Sequence, residues 1–458
     1  HSRATFPPGA EAGCGSVAPL SQGRGQELAV SEPKLLIFTY GTRGDVEPFI
    51  ALARGLQAAG VAVRLATSRR YREWVESHGI PAVPMNDASL GFIDTPDGKA
   101  MLEGTSLPRR LAAGVRLVRR AGPMNDVLME ETWEAARDFG PDLVVYHTKL
   151  FGAPHVAERL GIPSVLAAMQ PMFVPTREAP AMGLPPLPLP GWNRRSYGLV
   201  HAGLAMFRRR LNRFRRETLG LPPVRTAREV LFPPGAGTIP VLHAFSPAVW
   251  PRPADWPANA VLTGYWRLAM DEAYRPPDEL AAFLAAGPAP VFVGFGSMTS
   301  GDPRATAALV AGALRRAGVR GIVASGWAGL EVAPSSDILA IPPVPYRWLF
   351  PRMAAVVHHG GAGTTAEGFH AGVPCVICPF VGDQPGWARL SVALGVGADP
   401  VPRRRLDEAR LAAAIERAVA DPELKRNAGR LASRLAAEDG VATACRQLSG
   451  LLGRAPQT

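Results

Sequence analysis

The chain has 458 residues, 47% hydrophobic and 19% charged, with 50 Lys plus Arg against 39 Asp plus Glu and a formal charge of +11. That length exceeds one ordinary hydrophobic core, so a globular protein of two or three domains is expected. No apolar run reaches the roughly 18 residues of a membrane-crossing helix. The first residues lack the charged-then-apolar order of a signal peptide, and four scattered cysteines exclude a disulfide framework, so a soluble protein of the reducing cytoplasm is expected.

Residues 1–32 are rich in Gly, Ser, Pro and Ala without periodicity and read as a disordered tail. The folded part opens with a buried strand, Leu35–Tyr40, and the turn GTRGDVEP (Gly41–Pro48). An amphipathic helix from Phe49 to Ala59 and the strand Val61–Thr67 follow. This is a βαβ unit, which implies a parallel sheet with a right-handed crossover. Further units come from a helix near Tyr71–Ser77, a long basic helical region from Leu107 to Arg137 and the strand Asp142–His147. A helix around Gly152–Leu160 and the strand Pro163–Ala168 complete the run. Residues 170–192 are dense in proline and predict an irregular segment, either a binding loop carrying Met172 and Phe173 or a surface crossover. Helix returns over 196–219, and a strand is expected at Val241–Ser246.

A linker is placed at 247–262, between an N-terminal domain (33–246) and a C-terminal one (263–435). In the latter, strands are expected at Val291–Ser297, Gly321–Ser325 and Ala354–His358, with a helix from Pro303 to Ala317. Two helices, Leu406–Ala420 and Pro422–Leu452, end the chain, and residues 436–458 are expected to pack back on the first domain. The fold class is therefore α/β, two Rossmann-like halves facing each other across a cleft.

The most informative stretch is HHGGAGTTAEGFHAGVPCVICPFVGDQPGWAR, His358–Arg389. Glycines at a helix start leave backbone N–H groups and the positive end of the helix dipole open to an anion, here a diphosphate. His359 at the mouth of the glycine turn can donate to a phosphate oxygen, and Ser297 at the end of a neighbouring strand can add a hydroxyl. Asp383 and Gln384 have the acceptor and donor capacity that sugar hydroxyls need. The Cys375–Cys378 spacing imitates a metal or redox pair, but residues three apart on a strand face opposite sides, so buried strand residues are expected. The basic excess is partly clustered in FRRRLNRFRRE (Phe207–Glu217). No zinc-finger, RNP or other reader motif accompanies it, so no nucleic-acid partner is expected. A solvated helix face or peripheral contact with an anionic membrane surface remain as readings.

These motifs, with GTRGDVEPFIALARGL upstream and GFGSM between, make the chain resemble the nucleotide-sugar-dependent glycosyltransferases of the GT-B fold, family 1. The stretches HTKLFGAPHVAERLGIP, FRRETLGLPP, FSPAVWPRPADWP and TGYW are most similar to the sterol 3β-glucosyltransferase branch and its bacterial natural-product relatives. The resemblance implies an enzyme that moves a hexose, with inversion, from UDP-glucose or a dTDP-sugar to a hydroxyl of a hydrophobic small molecule. It implies donor-diphosphate contacts at His359, Ser297, Gly361, Gly363, Thr364 and Thr365, and sugar contacts at Asp383 and Gln384. It also implies ribose contact at Glu367 and a base-holding segment spanning Val344–Trp348. Plant relatives place a catalytic histidine in the first βα turn; here that turn holds Asp45 in the GxRGDxxP pattern. Asp45 is therefore expected to be the general base, its alternative being a cap for the helix starting near Glu47. Arg43 could pair with Asp45 or with phosphate. His147 is a second acceptor-side candidate, and His155 reads as structural. No D-x-D sequence occurs, so no metal and no further cofactor are expected. The rivals are an epimerase or hydrolase on the same fold and a non-catalytic sugar-nucleotide or membrane-surface binding module. Nothing in the sequence sets an oligomeric state.

Overall fold

The computed structural model describes residues 32–88, 107–296, 302–324, 332 and 335–453, without a side-chain account at 107–115 and 117–119. Residues 1–31 of the expected tail and the candidate Ser297 lie outside the described residues.

The N-terminal domain is a seven-stranded sheet in the order β3-β2-β1-β4-β5-β6-β7, every pairing parallel. Its strands are β1 (Lys34–Phe38), β2 (Ala62–Ser68), β3 (Ala82–Met85), β4 (Leu143–His147), β5 (Ser164–Ala168), β6 (Val241–His243) and β7 (Ala260–Leu262). The helices between them are α1 (Arg43–Ala58), α2 (Arg72–Ser77), α3 (Leu107–Phe139), α4 (Ala153–Leu160), α5 (Trp192–Ala205) and α6 (Arg208–Glu217). Apart from the exposed Lys34 that opens β1 and the buried His147 that ends β4, these two strands are apolar on both faces and buried, as a parallel sheet covered on both sides requires. Leu36, Phe38, Val144 and Tyr146 join one core cluster, and Leu35, Ile37, Leu143 and Val145 the other.

The C-terminal domain is a five-stranded parallel sheet, β10-β9-β8-β11-β12. Its strands are β8 (Val291–Gly294), β9 (Gly321–Ala324), β10 (Ile338–Ile341), β11 (Ala355–His358) and β12 (Cys375–Ile377). Its helices are α7 (Asp278–Ala285), α8 (Pro303–Arg316), α9 (Tyr346–Leu349), α10 (Ala362–Ala371), α11 (Gln384–Ala393), α12 (Glu408–Ala420), α13 (Pro422–Ala436) and α14 (Gly440–Leu452). Cys375 and Cys378 are fully buried in different core clusters, so they do face opposite ways. Burial pushes both thiols up to about 12.

The structure departs from the expected elements at several places, three of which bear on the candidate site and the joining of the domains. Helix α1 begins at Arg43, ahead of the expected Phe49, because Thr42 and Asp45 form a capping box that starts it and Pro48 fits inside it. Part of the expected linker, Ala260–Leu262, is the last strand of the first sheet. The helix expected over Pro422–Leu452 is broken at Asp439, whose carboxylate accepts the Ala442 N–H at 2.8 Å and starts α14.

Helix α14 packs on α1. A Cβ at Gly55 would lie 2.5 Å from Val441 Cγ1, so only glycine admits that approach, and Ala444, Cys445 and Leu448 join the N-terminal core. The two chain crossings between the domains touch at backbone level, where a Cβ at Gly440 would lie 2.4 Å from the Tyr265 carbonyl oxygen. Beside them the Ser246 hydroxyl donates to Glu438 Oε1 at 2.6 Å.

The basic stretch Phe207–Glu217 is only in part a solvated face, with Arg209, Arg213 and Arg216 exposed. Arg210 and Arg213 pair with Asp126 on α3. Arg215 is fully buried, pairing with Glu158 and donating to the Pro222 carbonyl at 2.7 Å. Its guanidinium also sits 2.6 Å from His155 Nδ1, which makes His155 part of a structural network. Among the described residues, no helix is long and apolar enough to cross a membrane.

Candidate functional site

In each sheet, strand order reverses direction between two central strands, at β1/β4 in the first and β8/β11 in the second. Loops leaving those strands diverge above the carboxyl edge and open a crevice where ligands of such sheets bind. The candidate residues come from these loops. Asp45 follows β1, His147 ends β4, Gly296 follows β8, and His359 with its glycines follows β11.

On the second sheet, glycine makes room for His359. A Cβ at Gly361 would lie 2.5 Å from its Nε2, and one at Gly296, where φ is +62°, would lie 3.1 Å from its Cε1. Burial pulls the His359 pKa down to about 4, so the ring is neutral near pH 7, and its buried Nδ1 has no partner among the described residues. His358 is buried inside the strand end, where its Nδ1 accepts the Gly360 N–H at 3.0 Å and fixes the turn. Helix α10 starts at Gly361 with no side-chain cap, whereas α12, α13 and α14 are capped by Asp407, Asp421 and Asp439. Its first N–H groups and its dipole thus face the cleft without a carboxylate on them. Gly363 is exposed there and Thr364 half-buried, while Thr365 is buried and donates its hydroxyl to the Gly361 carbonyl at 2.9 Å. Thr365 therefore shapes the turn from within.

The GDQ loop is more internally committed than expected. Gln384 Oε1 accepts the N–H groups of Phe380 and Val381 at 2.8 and 3.1 Å. Asp383 Oδ2 accepts the Trp387 indole N–H at 2.8 Å. Burial pushes the Asp383 carboxyl up, against bonds from Trp387 and from Gln170 of the opposite domain. Glu367 is held bidentately by Arg267, at 2.9 and 2.7 Å, and although burial raises it, Arg267 keeps its pKa below the ordinary value. In the Val344–Trp348 segment, Val344 packs on the C-terminal core. The Trp348 ring carries the Arg352 guanidinium 4.2 Å from its centre and meets Tyr274 edge-on.

On the first sheet, Asp45 is the acid of the α1 capping box. Its Oδ2 accepts the Thr42 N–H at 2.7 Å and the Thr42 hydroxyl at 3.1 Å. Its Oδ1 lies 2.8 Å from Lys149 Nζ and 3.8 Å from His147 Nε2. Burial alone would raise this carboxyl; the Lys149 and His147 charges and the bonds from Lys149 and Thr42 outweigh it and hold the pKa below its ordinary value. Burial pulls His147 down to about 4, with Lys149 lowering it further and Asp45 opposing. Arg43, read as a partner of Asp45 or of phosphate, donates to Glu47 at 3.0 Å and lies over the Trp74 ring at 4.7 Å, on the first turn of a helix that starts earlier than expected. Lys149 was not singled out in the sequence. Its signal is the HTK run, which places a basic residue in the turn after the second central strand.

The two loops meet. A Cβ at Gly363 would lie 3.7 Å from Gly44 Cα, so the uncapped start of α10 faces the start of α1 at van der Waals distance. The proline-rich segment closes one side. Met182 is buried in the C-terminal core, Gly183 lies with φ +91° against the Gly382 carbonyl, and Arg389 donates to the Leu184 carbonyl at 2.7 Å. Met172 is half-buried between the two cores. Phe173 is 8% exposed and packs within the N-terminal core.

Two parallel Rossmann-like sheets whose switch points face one another define the GT-B architecture of glycosyltransferases. Residues 35–177 match the glycosyltransferase family 28 N-terminal domain, and residues 329–449 match the C-terminal domain of erythromycin biosynthesis protein CIII-like proteins. The chain is 35% identical to O-mycaminosyltylonolide 6-deoxyallosyltransferase of Streptomyces fradiae, over 90% of this chain and 96% of that one. It is 33% identical to a sterol 3-beta-glucosyltransferase of Arabidopsis thaliana over 90% of this chain, but spans 64% of that protein's length, and 30% of the Emericella nidulans one. In fold it is similar to the glycosyltransferase of kitacinnamycin, with a TM-score of 0.66 at 18% identity, covering 92% of this chain and 99% of that one. It is likewise similar to glycosyltransferase VinC in complex with dTDP, with a TM-score of 0.63 at 19% identity, covering 92% of this chain and all of the other. The chain belongs to this glycosyltransferase family of sterol and macrolide enzymes.

Proposed function

We propose that this protein transfers a hexose, with inversion, from a nucleoside diphosphate sugar to a hydroxyl of a hydrophobic acceptor such as a sterol or polyketide. The observation that carries this reading is the meeting of two loops. The uncapped glycine start of α10 faces the turn that bears Asp45, with 3.7 Å between the Gly363 Cβ position and Gly44 Cα. A diphosphate on the α10 start then places the anomeric carbon beside a carboxylate on the opposite domain, as a single in-line displacement needs.

In this reading His359 donates to the diphosphate, its Nδ1, without a partner among the described residues, or its Nε2 carrying the proton, and the N–H groups of Gly363 and Thr364 add to it. The charge of the leaving diphosphate falls to these groups rather than to a metal ion. Asp383 and the amide nitrogen of Gln384 hold the sugar, Glu367 the ribose, and the Val344–Trp348 segment the base. Asp45 takes the proton of the acceptor hydroxyl, and His147 supports it from the end of β4 at 3.8 Å. UDP-glucose is the favoured donor, because the sterol 3-beta-glucosyltransferases are a third identical; a dTDP-deoxysugar is the alternative favoured by the 6-deoxyallosyltransferase. An anionic lipid surface fits less well than expected as a partner of Phe207–Glu217, since Asp126 and Glu158 hold three of its arginines.

The test is incubation with UDP-glucose and with dTDP-glucose against a sterol and a macrolide aglycone, read by mass spectrometry. A glycoside with release of UDP or dTDP is expected. Free sugar, an epimerised donor or bound donor without turnover in every acceptor arm would refute the transferase reading.

A further inference from the structure

We propose that Lys149 is a donor-responsive positioning residue. It pairs with the Asp45 carboxylate and exchanges that partner for the donor diphosphate when the donor enters the cleft, uncovering the base. The inference rests on the reading of Asp45 as the base.

Both oxygens of Asp45 are taken. The Thr42 N–H and hydroxyl hold Oδ2 at 2.7 and 3.1 Å, and Lys149 holds Oδ1 at 2.8 Å. An acceptor hydroxyl needs one of them. The Thr42 contacts start α1 and stay with the fold. The Lys149 contact is the exchangeable one, because its side chain is 49% exposed on a flexible four-carbon stem in the turn after β4. Packing is tight around the pair. Gly41, at φ +144°, leaves the space, since a Cβ there would lie 2.2 Å from Asp45 Oδ2 and 2.6 Å from Lys149 Nζ. His147 sits below, fully buried, with its Nδ1 facing the Lys149 backbone N–H at 3.4 Å and Nε2 facing Asp45. It stays in place whichever partner Lys149 takes.

The destination lies close by. Gly44, next to Asp45, is within contact of the α10 start where the diphosphate is proposed to sit. A diphosphate carries more negative charge than a carboxylate that Thr42 already serves with two donors, so it competes for the ammonium successfully. The charged and titratable groups facing Asp45 are Lys149 and His147 from the β4 end, Tyr71 from beyond β2, and Asp383 across the cleft. Removing the Lys149 charge leaves burial to raise the Asp45 pKa, and a carboxylate of higher pKa is a stronger base. Binding of donor therefore both neutralises the leaving group and activates the base. No bond is made or broken in this step; one ammonium exchanges one anionic partner for another.

Lys149→Met and Lys149→Arg test the proposal. UDP binding is measured by calorimetry, beside uridine as a control without phosphate. Lys149→Met is expected to bind UDP ~10-fold or more weakly, the scale of a lost charge-assisted bond, with uridine affinity unchanged and Lys149→Arg within about threefold of wild type on the same scale. In pH profiles, Lys149→Met should raise the acid-limb pKa of kcat/KM for donor by about one unit. The acid limb of kcat should stay put, since donor-saturated wild type has already released Asp45. Wild-type UDP affinity in Lys149→Met, or equal movement of both limbs, overturns the proposal. Unchanged turnover in Asp45→Asn would instead remove the base reading, while the UDP affinity of Lys149→Met reports on Lys149 independently of it.

Discussion

Replacing Asp45 by Asn separates two jobs of one side chain. The carboxylate closes the α1 capping box through Thr42 and faces Lys149 and His147 on the cleft side. Asn has one acceptor oxygen. Turned toward Thr42, it keeps the 2.7 Å backbone bond that starts the helix; its NH2 then faces the Lys149 ammonium and loses that pair. A cap is worth about 0.5–2 kcal/mol and most of it is retained. The lost pair involves a half-exposed lysine, so it contributes at most about 1 kcal/mol. The net destabilisation is then about 1 kcal/mol, a shift of the melting midpoint of roughly 2 °C, against a stability of about 5–15 kcal/mol. Loss of a general base costs about 10²–10⁴ in rate, or roughly 3–5 kcal/mol. The two effects differ enough to be told apart. Single-turnover product formation at saturating donor should fall at least ~100-fold while UDP affinity stays within about threefold. Asp45→Ala should match that rate loss but melt lower, having lost the cap as well. A rate loss below ~10-fold, or one that tracks the unfolded fraction across temperature, would refute the assignment.

Three further outcomes follow from the same contacts. His359→Ala should weaken UDP binding ~10–100-fold with little effect on uridine, since it removes one bond to a charged group; equal losses for both ligands in titration would place the histidine elsewhere. Gly183→Ala forces a Cβ to within 2.2 Å of the Gly382 carbonyl at φ +91°. It should free the proline-rich segment from the GDQ loop, cutting kcat while UDP affinity holds; wild-type kcat would show that the contact is incidental. His147, His243 and His358 are buried with pKa values pulled down to about 4, 3 and 3. The unfolded chain takes up protons near pH 6.5 that the folded one refuses, so stability should fall as pH drops from about 6.5 toward 4. Each such histidine removes up to about 1.4 kcal/mol per pH unit. A melting temperature flat between pH 7 and 5 would contradict this.

Much of the fold was legible because fully buried parallel strands are continuous apolar runs. LLIF, LVVY, VFVG and AVV announce the four central strands, and the residues just past them are the candidate site. What was hidden arises from contacts between segments distant in sequence. The early start of α1 depends on Thr42 and Asp45 capping each other, in a turn whose Gly44 and Pro48 resemble a loop. The arginines of FRRRLNRFRRE look solvated until Asp126 and Glu158 come beside them from α3 and α4. Gln384 reads as a ligand group through both ends of its amide, yet its oxygen holds the Phe380–Val381 backbone, which leaves the proposed sugar contact to the nitrogen. Lys149 carries no motif of its own; it matters because β4 lies beside β1 and delivers its side chain to Asp45.

The chain passes between the domains twice, and the two passages touch where Gly440 meets the Gly264–Tyr265 backbone, with no side chain between them. Any residue larger than glycine at 440 would set a side chain against that backbone and push the two passages apart. The spacing of the two domains thus depends on a position that carries no functional group at all.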